Sequence, residues 1–275
     1  MAVRNREIHE DDVTAVVDLL TEGFDRDRTY WEHAFHVLKN RPKIEGLPRY
    51  GYLLEDAGRI VGALLTIASQ IGGRRRCNLS SWYVAPAYRI FGSLMALRAV
   101  RQPDVTYFNV SPAPHTWTIL EKQGFERFAD GRMAVAPWLN KPVRSAKVRQ
   151  FSAAKDNDHP ASTVLQDHLG FGCICLMCEV SGERYPFVFG RQRRWGFFPV
   201  VHLVYCRQLS DFQRFAGSLG RYLCARGYCA AILDACGPID GLPGRYAGNR
   251  PRYRKGGDDV HLGDVAYSEQ VLFGY

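Results

Sequence analysis

The sequence predicts an α/β (α+β) protein of two related domains, each with a central sheet flanked by helices. Three observations carry this. Helix-like and strand-like periodicities alternate through the first half. The length, 275 residues, suits two domains of ordinary size better than one. The third is internal similarity: at an offset of 125, Arg89-Ile-Phe-Gly92-Ser93-Leu94 falls on Arg214-Phe-Ala-Gly217-Ser218-Leu219, and Asn109 falls on Asp234. At an offset of 124, the stretch from Leu53 to Leu65 falls on Met177 to Phe189, pairing Glu55 with Glu179 and Gly58 with Gly182. Three matches in one order point to a duplicated unit, with domains at 1–138 and 139–275.

Taken in order, Asp11 or Asp12 caps a helix whose apolar face is Val13, Val16, Val17, Leu20 and Phe24. A second helix, Tyr30 to Leu38, carries Trp31, Phe35 and Leu38 on one side. Tyr50 to Glu55 and Ile60 to Ile67 read as strands about the turn Asp56-Ala57-Gly58. Leu79 to Val84 is a strand ended by Pro86, and a helix follows from about Tyr88 to Val100. Val105 to Val110 is a strand stopped by Ser111-Pro112. A helix over Thr116 to Gln123 ends at Gly124, and a hairpin about Asp130-Gly131 closes the set. Residues 137–150, basic and with two prolines, read as a linker.

Composition bounds the function. With 46% apolar and 23% charged residues, the chain is neither disordered nor fibrous. No apolar run approaches the ~18 residues of a membrane helix, and the charged start MAVRNREIHEDDV is no signal peptide. A cytoplasmic protein without a membrane span is expected, its eight cysteines reduced. The net charge of +8 splits as +2 over residues 1–140 and +6 over 141–275. Such an excess favours anionic partners without choosing among them.

The order strand, Val84-Ala-Pro86-Ala-Tyr-Arg89-Ile-Phe-Gly92-Ser93, helix has a chemical meaning. A strand feeding straight into a helix exposes the first-turn N–H groups and the positive end of the dipole. Gly92 lets a phosphate approach the backbone and Arg89 adds a fixed charge, together an anion cradle.

At these residues the sequence resembles the GNAT acyltransferase superfamily. Val84, Pro86, Arg89, Gly92 and Asn109 match its pattern in order and spacing, as does Ile119-Leu-Glu-Lys-Gln-Gly124-Phe125. The resemblance covers about residues 3–135. It implies a splayed sheet with the pantetheine arm of acyl-CoA, a co-substrate, between the strands ending at Val84 and Val110. It implies that backbone N–H groups of Arg89, Ile90, Phe91, Gly92, Ser93 and Leu94 hold the pyrophosphate, with Asn109 at the second strand's end. It also implies that the Val84 N–H polarises the thioester carbonyl, while an amine or hydroxyl attacks directly.

Two departures stand out. Leu94 occupies the last small-residue position of the phosphate loop, and Leu120 the position of the tyrosine that often protonates the departing thiolate. His115, Tyr107 and Tyr83 are nearby candidates for proton transfer. The second copy keeps Arg214 and Gly217 but lacks the Val-x-Pro element, so its cofactor site is expected to be closed or repurposed. Its basic tail, GLPGRYAGNRPRYRKGGDD, reads as a surface loop or one reaching over a cleft.

Other signals are weaker. Cys173-x-Cys175-x-x-Cys178, with His202 and Cys206, invites a zinc reading, but alternation along a strand separates the sulfurs, so no metal is expected. His33 and His36 share a helix face without a third ligand. Arg74-Arg75-Arg76 near Trp82 and Tyr88 would suit nucleic acid, but a solvated turn is the simpler reading and nucleic acid is disfavoured. The leading expectation is acyl transfer from acyl-CoA to an amine or hydroxyl of a small molecule or polymer. The alternatives are a tandem-GNAT transferase using aminoacyl-tRNA and a non-catalytic acyl-CoA-binding scaffold. A homodimer stays open.

Overall fold

A computed structural model describes residues 3–194, 196–257 and 260–274. In chain order it runs β1 (Arg4–Glu7), α1 (Val13–Gly23), α2 (Arg28–Asn40), β2 (Gly51–Asp56), β3 (Arg59–Ile71), β4 (Arg74–Val84), α3 (Gly92–Ala99), β5 (Val105–Asn109), α4 (Trp117–Lys122) and β6 (Glu126–Ala129). It continues with β7 (Gly131–Val135), β8 (Lys147–Gln150), α5 (Ala153–Asp156), α6 (Ser162–Gly170), β9 (Ile174–Val180), β10 (Glu183–Arg194) and β11 (Phe198–Cys206). The last elements are α7 (Leu209–Cys224), β12 (Ala231–Ala235), β13 (Gly244–Ala247), β14 (Arg252–Lys255) and α8 (Glu269–Leu272).

These strands form two mixed seven-stranded sheets, β1-β2-β3-β4-β5-β14-β6 and β13-β7-β12-β11-β10-β9-β8. In each, one central pair, β4–β5 or β11–β12, is parallel, and β1 to β4 and β8 to β11 run antiparallel. Helices cover the sheets because their apolar stripes demand it: α1 buries Val16, Val17 and Leu20 at 0–1% exposure, each worth about 1.5–3 kcal/mol.

The spatial division is not a single cut in the chain. Residues 3–126, 253–257 and 267–274 form one compact unit, and most of the remainder forms the other. The residue at 138 therefore does not separate them cleanly. Strand β7, before that point, pairs with β12 and β13 in the second sheet. Strand β14, far beyond it, pairs Tyr253 with Asn109 in the first. Asp130-Gly131 consequently links strands of different sheets and is not the turn of a hairpin.

The duplication is visible in side-chain detail. Arg6 grips both oxygens of Asp12 at 2.6 and 2.8 Å and donates from Nε to Glu55 at 2.7 Å, while Asp12 accepts the His9 N–H. Arg149 does the same with Asp156, at 2.7 and 2.6 Å, and with Glu179 at 2.8 Å, while Asp156 accepts the Ser152 N–H. The β2–β3 and β9–β10 turns are alike as well, with Ala57-Gly58 at φ 48° and 81° and Ser181-Gly182 at 50° and 82°.

The Arg149 guanidinium outweighs burial and holds the Asp156 carboxyl down at about 2. A folded-state value below the unfolded one makes the contribution complete above the ordinary carboxylate range and lost as pH falls from about 4 toward 2. Arg149→Met is expected to move acid unfolding, followed by circular dichroism, to higher pH. An unchanged acid midpoint would remove Asp156 from the account.

Several sequence expectations change here. The stretch 137–150 is no loose linker: Pro137–Leu139 forms a 3₁₀ turn and β8 follows. The basic tail contains two strands, β13 and β14. Arg76 is not a solvated turn residue; it begins a buried stretch of β4, 4% exposed, with its guanidinium 4.3 Å over Phe108. The cysteines divide: Cys173, Cys175 and Cys178 are buried free thiols, but Cys224 and Cys229 form a disulfide across the turn that ends α7. No helix among the described residues is long and apolar enough to cross a membrane, and no metal-binding cluster of His, Cys, Asp or Glu occurs among them.

Candidate active site

Strands β4 and β5 pair over only four positions, Arg75 to Asn78 against Val105 to Phe108. Beyond Asn78, β4 runs on to Val84 without β5 beside it. Just past that point the ladder with β3 slips, from Leu65 opposite Ser80 to Ala63 opposite Tyr83. Ser81 sits at φ 53°, the left-handed region that a non-glycine residue enters only when its surroundings impose it. A bulge of this kind turns backbone groups out of the ladder.

A cavity of about 220 Å³ opens at this splay. Its walls include Leu79, Ser80, Ser81 and Trp82 from β4, Asn109 and Ser111 from β5 and the turn after it, Phe24 just after α1, and Tyr30 and Trp31 from α2. Arg26 stands at the rim, its guanidinium 4.9 Å from the centre of the Tyr30 ring.

The cavity also contains Glu269, carried by α8 at the far end of the chain. Glu269 is 8% exposed. One carboxylate oxygen accepts from the Asn78 side-chain amide and the other from the Ser111 hydroxyl. The Trp31 indole N–H is buried in the wall with no hydrogen-bond partner among the described residues. A buried donor left unmet costs about 1–3 kcal/mol, a cost that an acceptor atom of a ligand would remove. Burial, reinforced by the charge of Glu269 and opposed by Arg26, raises the Tyr30 phenol above its ordinary pKa.

The residues singled out from sequence fall into three groups. Asn109, 6% exposed, lines the cavity. Val84 ends β4 beyond the bulge, opposite Gly62. His115 is exposed on the 3₁₀ turn Pro114–Thr116, whose neighbours Ala113 and Thr116 reach the cavity while its own side chain does not line it. Tyr107 lies away from the cavity: it is 1% exposed, and its hydroxyl accepts the Gln102 N–H at 3.1 Å near the start of β5. The position that fixes the strand also fixes this, because a side chain two residues before Asn109 is set back from the open end of the splay. Tyr83 packs on Phe24 with ring centres 5.9 Å apart. Leu120 is fully buried core.

The phosphate-loop stretch is laid out differently from the expectation. Pro86–Phe91 forms a 3₁₀ turn that runs directly into α3, and the Gly92 N–H is donated to the Arg89 carbonyl. The Gly92 N–H is thus engaged within the chain. Arg89 is exposed, as are Ile90 at 78% and Leu94 at 57%. Gly92 has an ordinary helical φ of −58°, and a Cβ there would meet Val84 and Trp82 at 3.5–3.6 Å, normal contact. The fold itself does not require glycine at this position. Gly92→Ala is therefore expected to leave the melting temperature unchanged or raise stability by up to about 1 kcal/mol. A clear drop in a thermal melt would contradict that.

The second sheet has the same splay and fills it. Strands β11 and β12 pair only at Val201 and His202. Beyond them the chain supplies its own occupant: the Cys206 N–H donates to Gly263, the Val265 N–H donates to Val204, and Tyr205 bridges to Asp264. Beneath lies a buried charge cluster in which Asp234, at the position matching Asn109, has Arg252 Nε at 2.5 Å, His202 Nε2 at 3.3 Å and Arg132 Nε at 3.6 Å. The stretch matching the phosphate loop is covered too. Arg214 and Gly217 lie inside α7 instead of at its start, and a Cβ on Gly217 would strike the Asn140 and Lys141 carbonyl oxygens at 2.5 Å.

Glu269 escaped the sequence reading because nothing local marks it. It lies 160 residues after Asn109 in a four-residue helix without a motif. The orphaned Trp31 N–H was equally invisible, since Trp31 reads from the sequence only as part of an apolar helix face.

No family model matches the sequence, and no curated protein matches it. Solved structures do. A GCN5-related N-acetyltransferase from Anabaena variabilis superposes with a TM-score of 0.60 at 10% identity, over 92% of this chain and 72% of that one. One from Kribbella flavida gives 0.57 at 15% identity, over 92% and 70%. A tandem GNAT protein from the clavulanic acid biosynthesis pathway gives 0.50 at 12% identity, over 92% of this chain and 98% of that one. Identities this low speak for the fold: the chain carries the GNAT fold twice.

Proposed function

We propose that the first of the two GNAT-fold domains transfers an acyl group from acyl-CoA to an amine, with Glu269 as the base. The observation that carries this reading is a buried carboxylate inside a cavity at the splay of β4 and β5, beside a strained bulge at Ser81. The splay gives the pantetheine arm a strand edge to lie along. Ser81 and Trp82 line the cavity and Val84 does not, so an N–H at Ser81 or Trp82 suits the thioester carbonyl better than that of Val84, which lies beyond the bulge. Donors fixed before reaction stabilise the developing oxyanion without reorganising.

The balance of the step is simple. The amine nitrogen bonds to the thioester carbon, the C–S bond breaks, and the nitrogen's surplus proton passes to Glu269. The Tyr30 phenol, which lines the cavity, is its donor for the departing thiolate, in place of the family tyrosine whose position Leu120 occupies. Asn78 and Ser111 hold the Glu269 carboxylate in one orientation, and orientation is most of what a positioned base contributes.

The phosphate end of the donor rests on Arg89 and on shared use of N–H groups already bonded within the 3₁₀ turn, a three-centre arrangement common at helix termini. The second domain, its splay filled, serves as scaffold. Thiol release from a series of acyl-CoA donors with a panel of amines tests the reading. Amine-dependent release is expected; its absence across donors and amines alike would overturn it.

A further inference from the structure

The cavity says more about the acceptor than that it is an amine. Its volume, about 220 Å³, falls below the roughly 300–1,000 Å³ of sites that engulf drug-sized ligands, so what it holds is small. Its lining holds oxygens and N–H donors together, along with Ser80, Ser81, Asn109 and Thr116. Glu269 and Ser111 present oxygens. Arg26 and the Trp31 indole present N–H donors, and the Trp31 donor is buried and unmet among the described residues. Arg26 is exposed, makes no ion pair among the described residues, and stacks on Tyr30. The aromatic part of the lining is Phe24, Tyr30 and Trp31, with the Trp31 ring centre 5.3 Å from that of Phe24 and 5.0 Å from that of Tyr30.

We propose that the acceptor is a free amino acid, its ammonium seated on Glu269 and Ser111 and its carboxylate received by the Trp31 indole N–H and Arg26. This rests on the acyl-transfer reading of the same site, and it adds the class of molecule that receives the acyl group. The assignment explains why a carboxylate and a cation line one small aromatic cavity. Tyr30 feels both charges, in opposite senses. The seat also serves the chemistry: Glu269 takes the first of the ammonium's two protons, which frees the nitrogen lone pair for attack, and the second, released once the C–N bond has formed, makes good the proton that Tyr30 gives to the thiolate. The aromatic walls favour apolar side chains, so leucine and phenylalanine are better acceptors than aspartate or lysine.

Binding without any acyl donor tests this separately from catalysis. The full-length protein is screened by thermal shift against the twenty standard amino acids, and the hits are titrated calorimetrically beside the amines that remain when their carboxylate is removed. An apolar amino acid is expected to bind, and its decarboxylated amine to bind about tenfold or more weakly, the effect of losing one charge-assisted hydrogen bond. Arg26→Ala, at an exposed position, is expected to narrow that difference. Trp31→Phe, which keeps the ring, is expected to narrow it too. No binding by any amino acid, or equal binding of an amino acid and its amine, overturns the proposal. Should amino acids bind as described while no acyl-CoA is consumed, the acceptor assignment stands and the transfer reading falls. Should turnover proceed with amines regardless of a carboxylate, transfer stands and the acceptor assignment falls.

Discussion

Glu269→Gln is expected to lower kcat for acyl transfer by about 10²–10⁴-fold, the usual contribution of a positioned general base, with little change in the melting temperature. The stability expectation follows from shape. Glutamine is nearly isosteric, and its carbonyl oxygen still accepts one of the two hydrogen bonds from Asn78 and Ser111. What it cannot do is accept the proton of the attacking amine. Acetyl-CoA affinity is expected to be unchanged, since the carboxylate faces the acceptor. The pair of measurements separates roles: equal loss of kcat and fold stability would make Glu269 a structural anchor of α8, whereas full activity in the variant would remove it from the chemistry. Replacing Ser111 by alanine is expected to give a smaller loss in kcat, because Asn78 still orients the group.

The largest effect on stability is expected at Asp234. Burial alone would push its carboxyl up, but the charges around it, Arg252 above all, hold it well below the usual carboxylate range. Its neighbour His202 is fully buried, and burial pushes that imidazole below its ordinary pKa. Asp234→Ala leaves the Arg252 guanidinium buried without its closest anion, a change that costs about 3–5 kcal/mol. For the second domain this corresponds to a fall in melting temperature on the order of 10 °C. A double replacement, Asp234→Leu with Arg252→Met, is expected to recover much of the loss, since removing both charges also removes their desolvation cost.

The pH dependence has one sign. The depressed Asp234 value gives stability that is complete above the carboxylate range and lost as pH falls. The depressed His202 value means that the unfolded chain gains a proton below about 6.5 that the folded chain refuses, which also destabilises on acidification. A second domain more stable at pH 5 than at pH 7 would contradict this. At temperatures where the Asp234→Ala protein stays folded, its acyl transfer is expected to be unimpaired, because the charge cluster occupies the filled splay and not the cavity.

How far the residues alone led can be judged at particular places. The strand-turn-helix order after Val84 and the position of Asn109 were readable because each rests on short-range pattern: a strand stopped by proline, a glycine at a helix start, a polar residue where pairing ends. The offset of 124–125 also held physical content, since Glu55 and Glu179 prove to be equivalent members of the same arginine triad. What failed was everything that depended on long-range pairing. Nothing in Gly131 to Val135 tells which sheet it joins, because an alternating strand satisfies either. Arg252 and Tyr253 looked like part of a basic loop, and only the partner strand makes them β14. At the phosphate loop, sequence placed the residues but not the 3₁₀ turn of Pro86–Phe91 that leads into α3. The site as a whole was half legible. Its strands came from local signals, while its carboxylate came from a tail that no motif connects to them.

The central claim is that the first domain binds acyl-CoA along its splayed strands, and a thermal melt with and without acetyl-CoA tests it most directly. At about 100 times the dissociation constant, binding to the folded state alone should stabilise that domain by about 2.7 kcal/mol. The gain should vanish in Gly92→Glu, which puts a negative charge at the start of α3, while Gly92→Ala serves as the folded control. A rise in melting temperature that Gly92→Glu abolishes is the predicted result; no rise at saturating acetyl-CoA, or one that Gly92→Glu leaves intact, would contradict the account.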